Sequence, residues 1–379
     1  MQTATPGLKA LRVSPVSVPG GQSVQLEAEL YGPVSGGASV PVTVSPSGFV
    51  SFGGSISIPA GSSTQAVALS TNPVPQSRTL TFTASYRGVE RTATLTLTPP
   101  TVSSLTVTPS RALGGTTLTA TIRLNVPAPA GGLKVNLKYS NASVTPPATA
   151  TVPGGATSVQ VKLPTKPVAA VTSGTLTATY GTSSRTAVIT LDPPALTGVT
   201  VSPANVPGGL ATTARVTLSG KAPAAGMTVF LKRSHSALNL PASIMVPSGQ
   251  TSASISASTK PVLADTKVMV TATMRGVSKT ANLAILAPKL AAINAFPTTL
   301  KGGTTFSLNV TLSSAAPSGL VLQGSALPAL VTFPTLAMKA GATSQNFTCT
   351  TKTVRTNTTV RVRVVMGGIA RFVDIVLTP

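Results

Sequence analysis

Several residue types on which protein sites depend are scarce in this chain. Its 379 residues include one Cys, one His, no Trp and six Asp or Glu. A single Cys excludes an internal disulfide framework and a thiolate metal cluster. Glu27 and Glu29 are close in sequence, but the other carboxylates are scattered, which argues against a calcium site and against the paired acids of a glycosidase. We expect no enzyme, no cofactor and no metal site.

The residues that remain for catalysis have structural interpretations. His235 lies in RSHSALN, a predicted loop, and the nearest acidic residue in sequence is Asp265, so a nucleophile–His–acid arrangement is not expected. Cys349 lies on the core-facing register of FTCTT, where a Cys behaves as a small hydrophobe. An intermolecular disulfide is the alternative. Glu27 and Glu29 are predicted to face outward from one strand and to pair with Lys or Arg of a neighbouring strand.

Long apolar runs are also missing. The densest one, LAILAPKLAAINAFP, is interrupted by Pro and Lys and is too short to span a bilayer. The opening residues MQTATPGLKALRV show no basic stretch followed by an apolar core, so no signal peptide is visible. If the protein is exported, we expect this chain to be its mature form or an excised piece.

What the sequence does contain is strand-forming residues and frequent breaks. Val, Ala and Leu supply most of the apolar residues and Thr and Ser the polar ones, a composition that favours strands. The 33 Gly and 33 Pro argue against long helices. We therefore expect an all-β protein.

A 94-residue repeat dominates the sequence. VPGG at Val18–Gly21 recurs as ALGG at Ala112–Gly115, as VPGG at Val206–Gly209 and as LKGG at Leu300–Gly303. We predict a turn between the first two strands of each repeat, because Gly adopts positive φ without a Cβ penalty. The turn glycines are Gly20, Gly21, Gly114, Gly115, Gly208, Gly209, Gly302 and Gly303.

Within each repeat, apolar residues alternate with polar ones. Val24, Leu26, Ala28 and Leu30 illustrate the period of two, which places one face on a core and one in water. The third repeat shows seven such strands: VTVSP, ATTARVTL, MTVFLKR, ASIMV, SASISAS, KVMVTATM and TANLAIL. Seven short strands in under 100 residues predict a β-sandwich. A solenoid is the rival, but its repeats run about 20 to 50 residues.

The predicted organisation is therefore four sandwiches after a short tail. The boundaries are an N-terminal tail at 1–7 and domains at 8–100, 101–194, 195–288 and 289–379, the fourth copy being shorter by two residues in its middle. Pro-rich junctions favour stiff, extended connections, so we expect an elongated array.

The repeated motif resembles a known family. VTVSPANVPGG, KAPAAGMTVFL, VPSGQTSASIS and VTATMRGVSKTANLAI in the third repeat are similar to tandem bacterial immunoglobulin-like repeats of surface and secreted proteins. The resemblance covers Leu8 to Pro379. It implies an Ig-like β-sandwich, an extracellular or cell-surface location and a role as spacer, adhesin stalk or surface-assembly component. It carries over no catalytic residues, and the chain departs from antibody-type domains in lacking Trp and a Cys pair.

Charge supplies the candidate binding residues. The chain holds 28 Lys and Arg, for a net charge of +22, which attracts polyanions; a scarcity of acidic residues with no further meaning is the alternative. Outward clusters are predicted for Arg361, Arg363 and Arg371, for Lys134 and Lys138, and for Lys232 and Arg233. Acidic polysaccharide is one candidate ligand. Specific nucleic-acid binding is not expected, because single-strand and sugar platforms use aromatic stacking and the chain has 13 Phe and Tyr in all, several on core register.

Three hypotheses follow from the sequence. The leading one is a non-enzymatic extracellular structural protein that spaces, adheres or assembles, with other protein copies or cell-envelope components as partners. The second is a self-assembling subunit of a filament or sheet, joined through exposed strand edges. The third is a polyanion-binding module that uses the basic faces of repeats two to four.

Overall fold

A computed structural model describes residues 6–379, and all regular elements in that range are β-strands. The chain divides after Asp192 into two compact units, each built from two sandwiches. Of the predicted tail 1–7, residues 1–5 lie outside the described residues. The exact domain boundaries stay predictions.

The first domain sets the pattern for the others. Its strands are β1 (Leu8–Ser14), β2 (Ser17–Pro19), β3 (Ser23–Leu30), β4 (Ala38–Ser45), β5 (Val50–Ser51), β6 (Ser55–Ile58), β7 (Thr64–Thr71), β8 (Arg78–Tyr86) and β9 (Val89–Thr98). A smaller sheet has the order β1-β3-β7-β5, and a five-stranded sheet has the order β2-β9-β8-β4-β6. All pairs are antiparallel except β2 with β9, which is parallel.

The second domain lacks one short strand. Its strands are β10 (Val102–Thr108), β11 (Arg111–Leu113), β12 (Thr117–Leu124), β13 (Leu133–Tyr139), β14 (Thr149–Val152), β15 (Ser158–Pro164), β16 (Thr172–Tyr180) and β17 (Ser183–Asp192). The smaller sheet is β10-β12-β15 and the five-stranded sheet is β11-β17-β16-β13-β14. A single bridge between Val144 and Thr165 takes the place of the missing strand.

The third and fourth domains repeat the nine-stranded pattern. The third comprises β18 (Leu196–Ser202), β19 (Asn205–Pro207), β20 (Ala211–Leu218), β21 (Met227–Arg233), β22 (Leu238–Asn239), β23 (Ser243–Val246), β24 (Ser252–Thr259), β25 (Thr266–Met274) and β26 (Val277–Leu286). The fourth comprises β27 (Leu290–Phe296), β28 (Thr299–Lys301), β29 (Thr305–Leu312), β30 (Val321–Leu327), β31 (Val331–Thr332), β32 (Leu336–Ala337), β33 (Ser344–Thr351), β34 (Thr358–Met366) and β35 (Ile369–Thr378). The fold is thus four tandem Ig-like β-sandwiches, as predicted.

All seven strands predicted for the third repeat are present in the third domain. The predicted number is nevertheless wrong, because the domain has nine strands. Two strands were missed there, β19 and β22, of three and two residues. Strands this short contain no full alternation of polar and apolar residues, so periodicity does not detect them.

Each repeat closes its own core. Four separate clusters hold between 20 and 24 buried residues. In the first, Val24, Leu26, Ala28 and Leu30 are all buried while their neighbours on β3 are more exposed, as the alternation predicts. A repeat of 94 residues is therefore a domain and not one turn of a solenoid.

The two positions of each Gly–Gly turn require glycine for different reasons, one steric and one conformational. The predicted turn is confirmed and lies between β2 and β3. Gly21 has φ of +99°, which a Cβ disfavours. Gly20 has ordinary φ, but a Cβ there would stand 2.5 Å from the carbonyl oxygen of Asn72. Both features recur in all four domains.

A threonine hydroxyl holds this turn against the end of β7. Thr71 Oγ1 accepts a hydrogen bond from Gly21 N at 3.0 Å and donates one to Gln22 O at 2.6 Å. Gly20 N meanwhile donates to Thr98 O at the end of β9. The same threonine occurs as Thr165, Thr259 and Thr351. We call this arrangement the threonine lock.

Replacing Gly114 with Ala should destabilise the second domain by about 1–3 kcal/mol. A Cβ at Gly114 would lie 2.7 Å from Lys166 O and 2.9 Å from Val168 N, both backbone atoms. Hydrogen exchange of β10 to β17 in the full chain measures the loss. Gly131→Ala is the matched control, because a Cβ there meets no atom within 4 Å. Equal protection in both variants would contradict the steric account.

Cys349 lies in the core, as predicted. Its side chain is fully buried beside Phe306 on β29. Burial raises the pKa of the thiol to about 11, because the thiolate loses its hydration. A thiol in this setting is neither a nucleophile nor a free partner for a second chain.

We expect Cys349 to be unreactive towards a disulfide reagent at about pH 8 in the native protein and to react fully in denaturant. The measurement is the release of thionitrobenzoate with and without guanidinium. Because the chain has one Cys, the reaction reports unfolding of the fourth domain alone. Rapid labelling of the native protein would show that the site is open.

Candidate functional site

The described residues hold no cluster suited to metal binding. Within residues 6–379, no group of three or more His, Cys, Asp or Glu is placed to hold an ion. His235 caps its own loop, where Nδ1 accepts a hydrogen bond from Ala237 N at 3.1 Å. Among the described residues, no helix is both long and apolar enough to cross a membrane.

Four of the six carboxylates are engaged with basic side chains. Glu27 and Glu29 face outward and pair with Arg12 across the β1–β3 ladder, and Glu29 also binds Lys9, which confirms the predicted pairing. Hydrogen bonds from Lys9 and Arg12 hold the pKa of Glu29 below its ordinary value.

The other two pairs are bidentate and span neighbouring strands. Arg111 binds both oxygens of Asp192 at 2.8 Å, and Arg361 binds both oxygens of Asp374 at 2.9 and 3.0 Å. In each pair, the guanidinium hydrogen bonds lower the pKa of the carboxyl.

Most of the basic residues remain outside ion pairs. Between residues 6 and 379, the ion pairs use Lys9, Arg12, Arg111 and Arg361. With 28 basic residues in the chain, 28 − 4 leaves 24 Lys and Arg whose charge no carboxylate offsets at close range. The surface therefore carries a large positive charge that ion pairs do not neutralise.

The outer face of the five-stranded sheet in the fourth domain combines charge with exposed apolar groups. Register places Leu327, Arg361 and Asp374 in one row across β30, β34 and β35, and Ser325, Arg363 and Phe372 in the next. Leu327 is 78% exposed and Phe372 55% exposed. We call this surface the cationic–apolar face.

The two arginines predicted for this face differ in their freedom. Arg361 and Arg363 both point outward, opposite the buried Val360, Val362 and Val364, as predicted. Arg361 is fixed by Asp374, whereas Arg363 lies between Ser325 and Phe372 in register. Arg363 is thus the arginine of the pair available to an incoming partner.

Arg371 does not join them, so that part of the predicted cluster is wrong. It pairs in register with Val364, on the opposite side of the sheet from Arg363 and its partner Phe372. Its Nε donates to the carbonyl of Ala291 at 2.9 Å. Ala291 is the bulged residue of β27, where the ladder with β29 shifts register.

The same contact recurs at two other bulges. Arg91 Nε donates to Lys9 O, and Arg185 Nε donates to Ser103 O, and both carbonyls belong to residues skipped by the register. A bulge leaves a residue outside the ladder, and the arginine satisfies its carbonyl. Arg371 is therefore a structural residue.

Arg371→Gln should lower the stability of the fourth domain by about 1 kcal/mol, because it removes this hydrogen bond. The rate of Cys349 labelling in intermediate urea measures the change. Arg363→Gln is the control and should leave the rate unchanged. If Arg371→Gln is labelled at the wild-type rate, Arg371 does not stabilise the fourth domain.

The remaining basic candidates are separated from one another. Lys134 and Lys138 lie on one outward face of β13, and Lys232 occupies on β21 the position that Lys138 has on β13. Arg233 Nη1 donates to Leu240 O at 3.4 Å. The role of these residues in binding stays a prediction.

Sequence reasoning missed the exposed apolar residues of these faces. Phe230 and Met245 on the five-stranded sheet of the third domain are 63% and 59% exposed. In the fourth domain, the row of Ser325, Arg363 and Phe372 corresponds to Thr43, Thr83 and Thr92 in the first domain. The signal was present, because Phe230 alternates with the core residues Val229 and Leu231.

A groove of about 470 Å³ lies where the third and fourth domains meet. Leu263, Val321 and Met366 line it. In the first unit, Tyr180 occupies the position of Met366, and its hydroxyl donates to Pro75 O at 2.8 Å. Met366 has no hydroxyl with which to make the equivalent hydrogen bond.

Comparison with known proteins gives likeness of fold only. No family model matches the chain, and no curated protein sequence is similar to it. Among solved structures, the chain is similar to invasin, a bacterial integrin-binding protein, with 13% identity, 99% of this chain and 79% of that chain covered, and a TM-score of 0.39. It is similar to the D0–D1 domain of intimin, with 15% identity, coverage of 49% and 99%, and a TM-score of 0.22.

The matches also include the Yersinia pseudotuberculosis adhesin InvE, with 17% identity, coverage of 49% and 60%, and a TM-score of 0.29. At these scores the likeness carries no functional argument. The strand pairing and the four cores define the class of protein, which is a tandem array of Ig-like β-sandwiches.

Proposed function

We propose that this chain is a non-enzymatic extracellular structural protein whose sandwiches space and present contact surfaces, as a stalk, adhesin or component of a surface assembly. The observation that supports it most is the contrast between constant cores and varied outer faces. The fourth domain places Leu327, Arg363 and Phe372 where the first domain has small polar residues.

Exposed Leu and Phe beside an unpaired Arg have the composition of a protein contact site. Burying Leu327 and Phe372 against a partner removes apolar surface from water, and Arg and aromatic residues are enriched among the side chains that dominate binding. A surface of this kind supports adhesion or assembly, whereas a pure spacer needs none.

The location is tested with antibodies raised against the chain, applied to intact cells of the organism that encodes it. We expect labelling without permeabilisation. Labelling only after permeabilisation would contradict an extracellular role.

The contact surface is tested by attachment of fluorescent purified protein to isolated cell envelopes. Leu327→Ser with Phe372→Thr should reduce attachment at least about fivefold, because the buried apolar area is lost. Thr83→Ala with Thr92→Ala in the first domain is the matched control and should attach normally. Equal loss in both double variants would refute the assignment of this face.

Self-assembly and polyanion binding are the two alternatives. Light scattering and negative-stain imaging distinguish a monomer from an ordered filament or sheet, and small-angle scattering checks the predicted elongation. The 24 basic residues outside ion pairs favour the polyanion alternative as a second function. It requires salt-sensitive retention on heparin that weakens in Arg363→Gln and in Lys134→Gln with Lys138→Gln.

A further inference from the structure

The outer face of the smaller sheet in the fourth domain differs from its three counterparts. Asn294, Asn309 and Asn346 form one row across β27, β29 and β33. Asn309 Nδ2 donates to Asn346 Oδ1 at 2.7 Å, and Thr311 Oγ1 donates to Asn309 Oδ1 at 3.2 Å. These bonds fix the orientation of the central amides, while Asn294 and Asn346 are exposed.

An exposed aromatic ring lies in the next row. Phe296, Ser307 and Thr348 are in register across the same strands. Phe296 is 80% exposed, more than any other large apolar side chain among residues 6–379. The equivalent residues of the other domains are Ser14, Thr108 and Ser202. Folding therefore does not require a Phe at this position, and its ring contributes little to the core.

The surface is uncharged, although the chain carries +22. The outward residues of its strands are Ala292, Asn294, Phe296, Thr305, Ser307, Asn309, Thr311, Thr332, Ser344, Asn346, Thr348 and Thr350. The same face carries Arg12 and Glu27 in the first domain, Lys162 in the second and Arg215 in the third. We call this uncharged surface the amide face.

We propose that the amide face binds a neutral polysaccharide. A pyranose ring offers an apolar C–H face that stacks on an aromatic ring, and hydroxyls that both donate and accept hydrogen bonds. Side-chain amides also donate and accept, so the Asn row matches those hydroxyls. Successive rows on a strand lie about 6.8 Å apart, which brings the ring and the amides within reach of one saccharide and its neighbour.

Charge selects this ligand over the alternatives. A polyanion finds no cation on the amide face, and an acidic or basic protein finds no counter-charge there. One ring and one row of amides bury little area, so affinity for a single saccharide is weak, about millimolar. A polymer raises the effective affinity because it offers many copies of the same unit.

This inference goes beyond the proposed function, since a spacer or a protein-binding adhesin needs no sugar site. Native gel electrophoresis at reversed polarity tests it, in gels containing hydroxyethylcellulose, barley β-glucan, galactomannan, yeast mannan or dextran. The variants are Phe296→Ser, which installs the residue of the first and third domains, and Asn294→Thr with Asn346→Ser, which installs residues of the third. Phe230→Asn in the third domain removes another exposed ring, installs the residue of the second domain, and is the matched control.

We expect at least one neutral polymer to retard the wild type and Phe230→Asn equally. Both amide-face variants should lose at least about tenfold in apparent affinity, and about 0.5 M salt should leave the retardation unchanged, because no charge takes part. Retardation by none of the five polymers, equal retardation of Phe296→Ser, or retention by heparin alone would overturn the proposal. Thermal unfolding of each variant verifies folding. Antibody labelling of intact cells tests the location independently. A negative result in the gels would therefore overturn the sugar site without affecting the proposed location.

Discussion

The threonine lock is the interaction on which each sandwich depends. One hydroxyl joins the Gly–Gly turn to the end of β7, while the first glycine bonds the last strand of the domain. These contacts fix the short strand β2 beside β9 in the sole parallel pairing of the domain. The turn, both sheets and the last strand are thus tied together at one end, which explains why both glycines and the threonine recur in all four copies.

A core closed in this way leaves the outer faces free to vary. Each domain has its own buried cluster, so substitutions on an outward register cost little stability. The first domain uses this freedom for threonines and ion pairs, and the fourth for the cationic–apolar face and the amide face. The two proposed contact faces lie on opposite sheets of one sandwich.

Part of this organisation could be predicted from the sequence. The 94-residue spacing fixed the number of domains, and alternation identified the long strands and the buried position of Cys349, because both depend on regular periods. The short strands could not be predicted, because two or three residues are too few to show a period. The threonine lock could not be predicted either, because Thr71, Thr165 and Thr259 lie among many other threonines on outward strand positions.

Register and exposure were harder to predict than the strands themselves. The two-residue turn Gly367–Gly368 pairs Met366 with Ile369, which puts Arg371 on the core side and away from Arg363. The side of the sheet on which Arg371 lies becomes known only from the register of the paired strands. The exposure of Phe296 could be predicted, because Ile293 and Ala295 beside it take the core register, but an outward aromatic residue does not by itself indicate a site.

The most direct test of the central claim is hydroxyl-radical footprinting of the intact chain bound to cell envelopes of the encoding organism. The account predicts protection of Phe296, Leu327 and Phe372 in the fourth domain, with Tyr31 of the first domain, which is 68% exposed, labelled as in the free protein. Protection distributed evenly over all four domains would show that the chain attaches through its overall charge and would contradict the account.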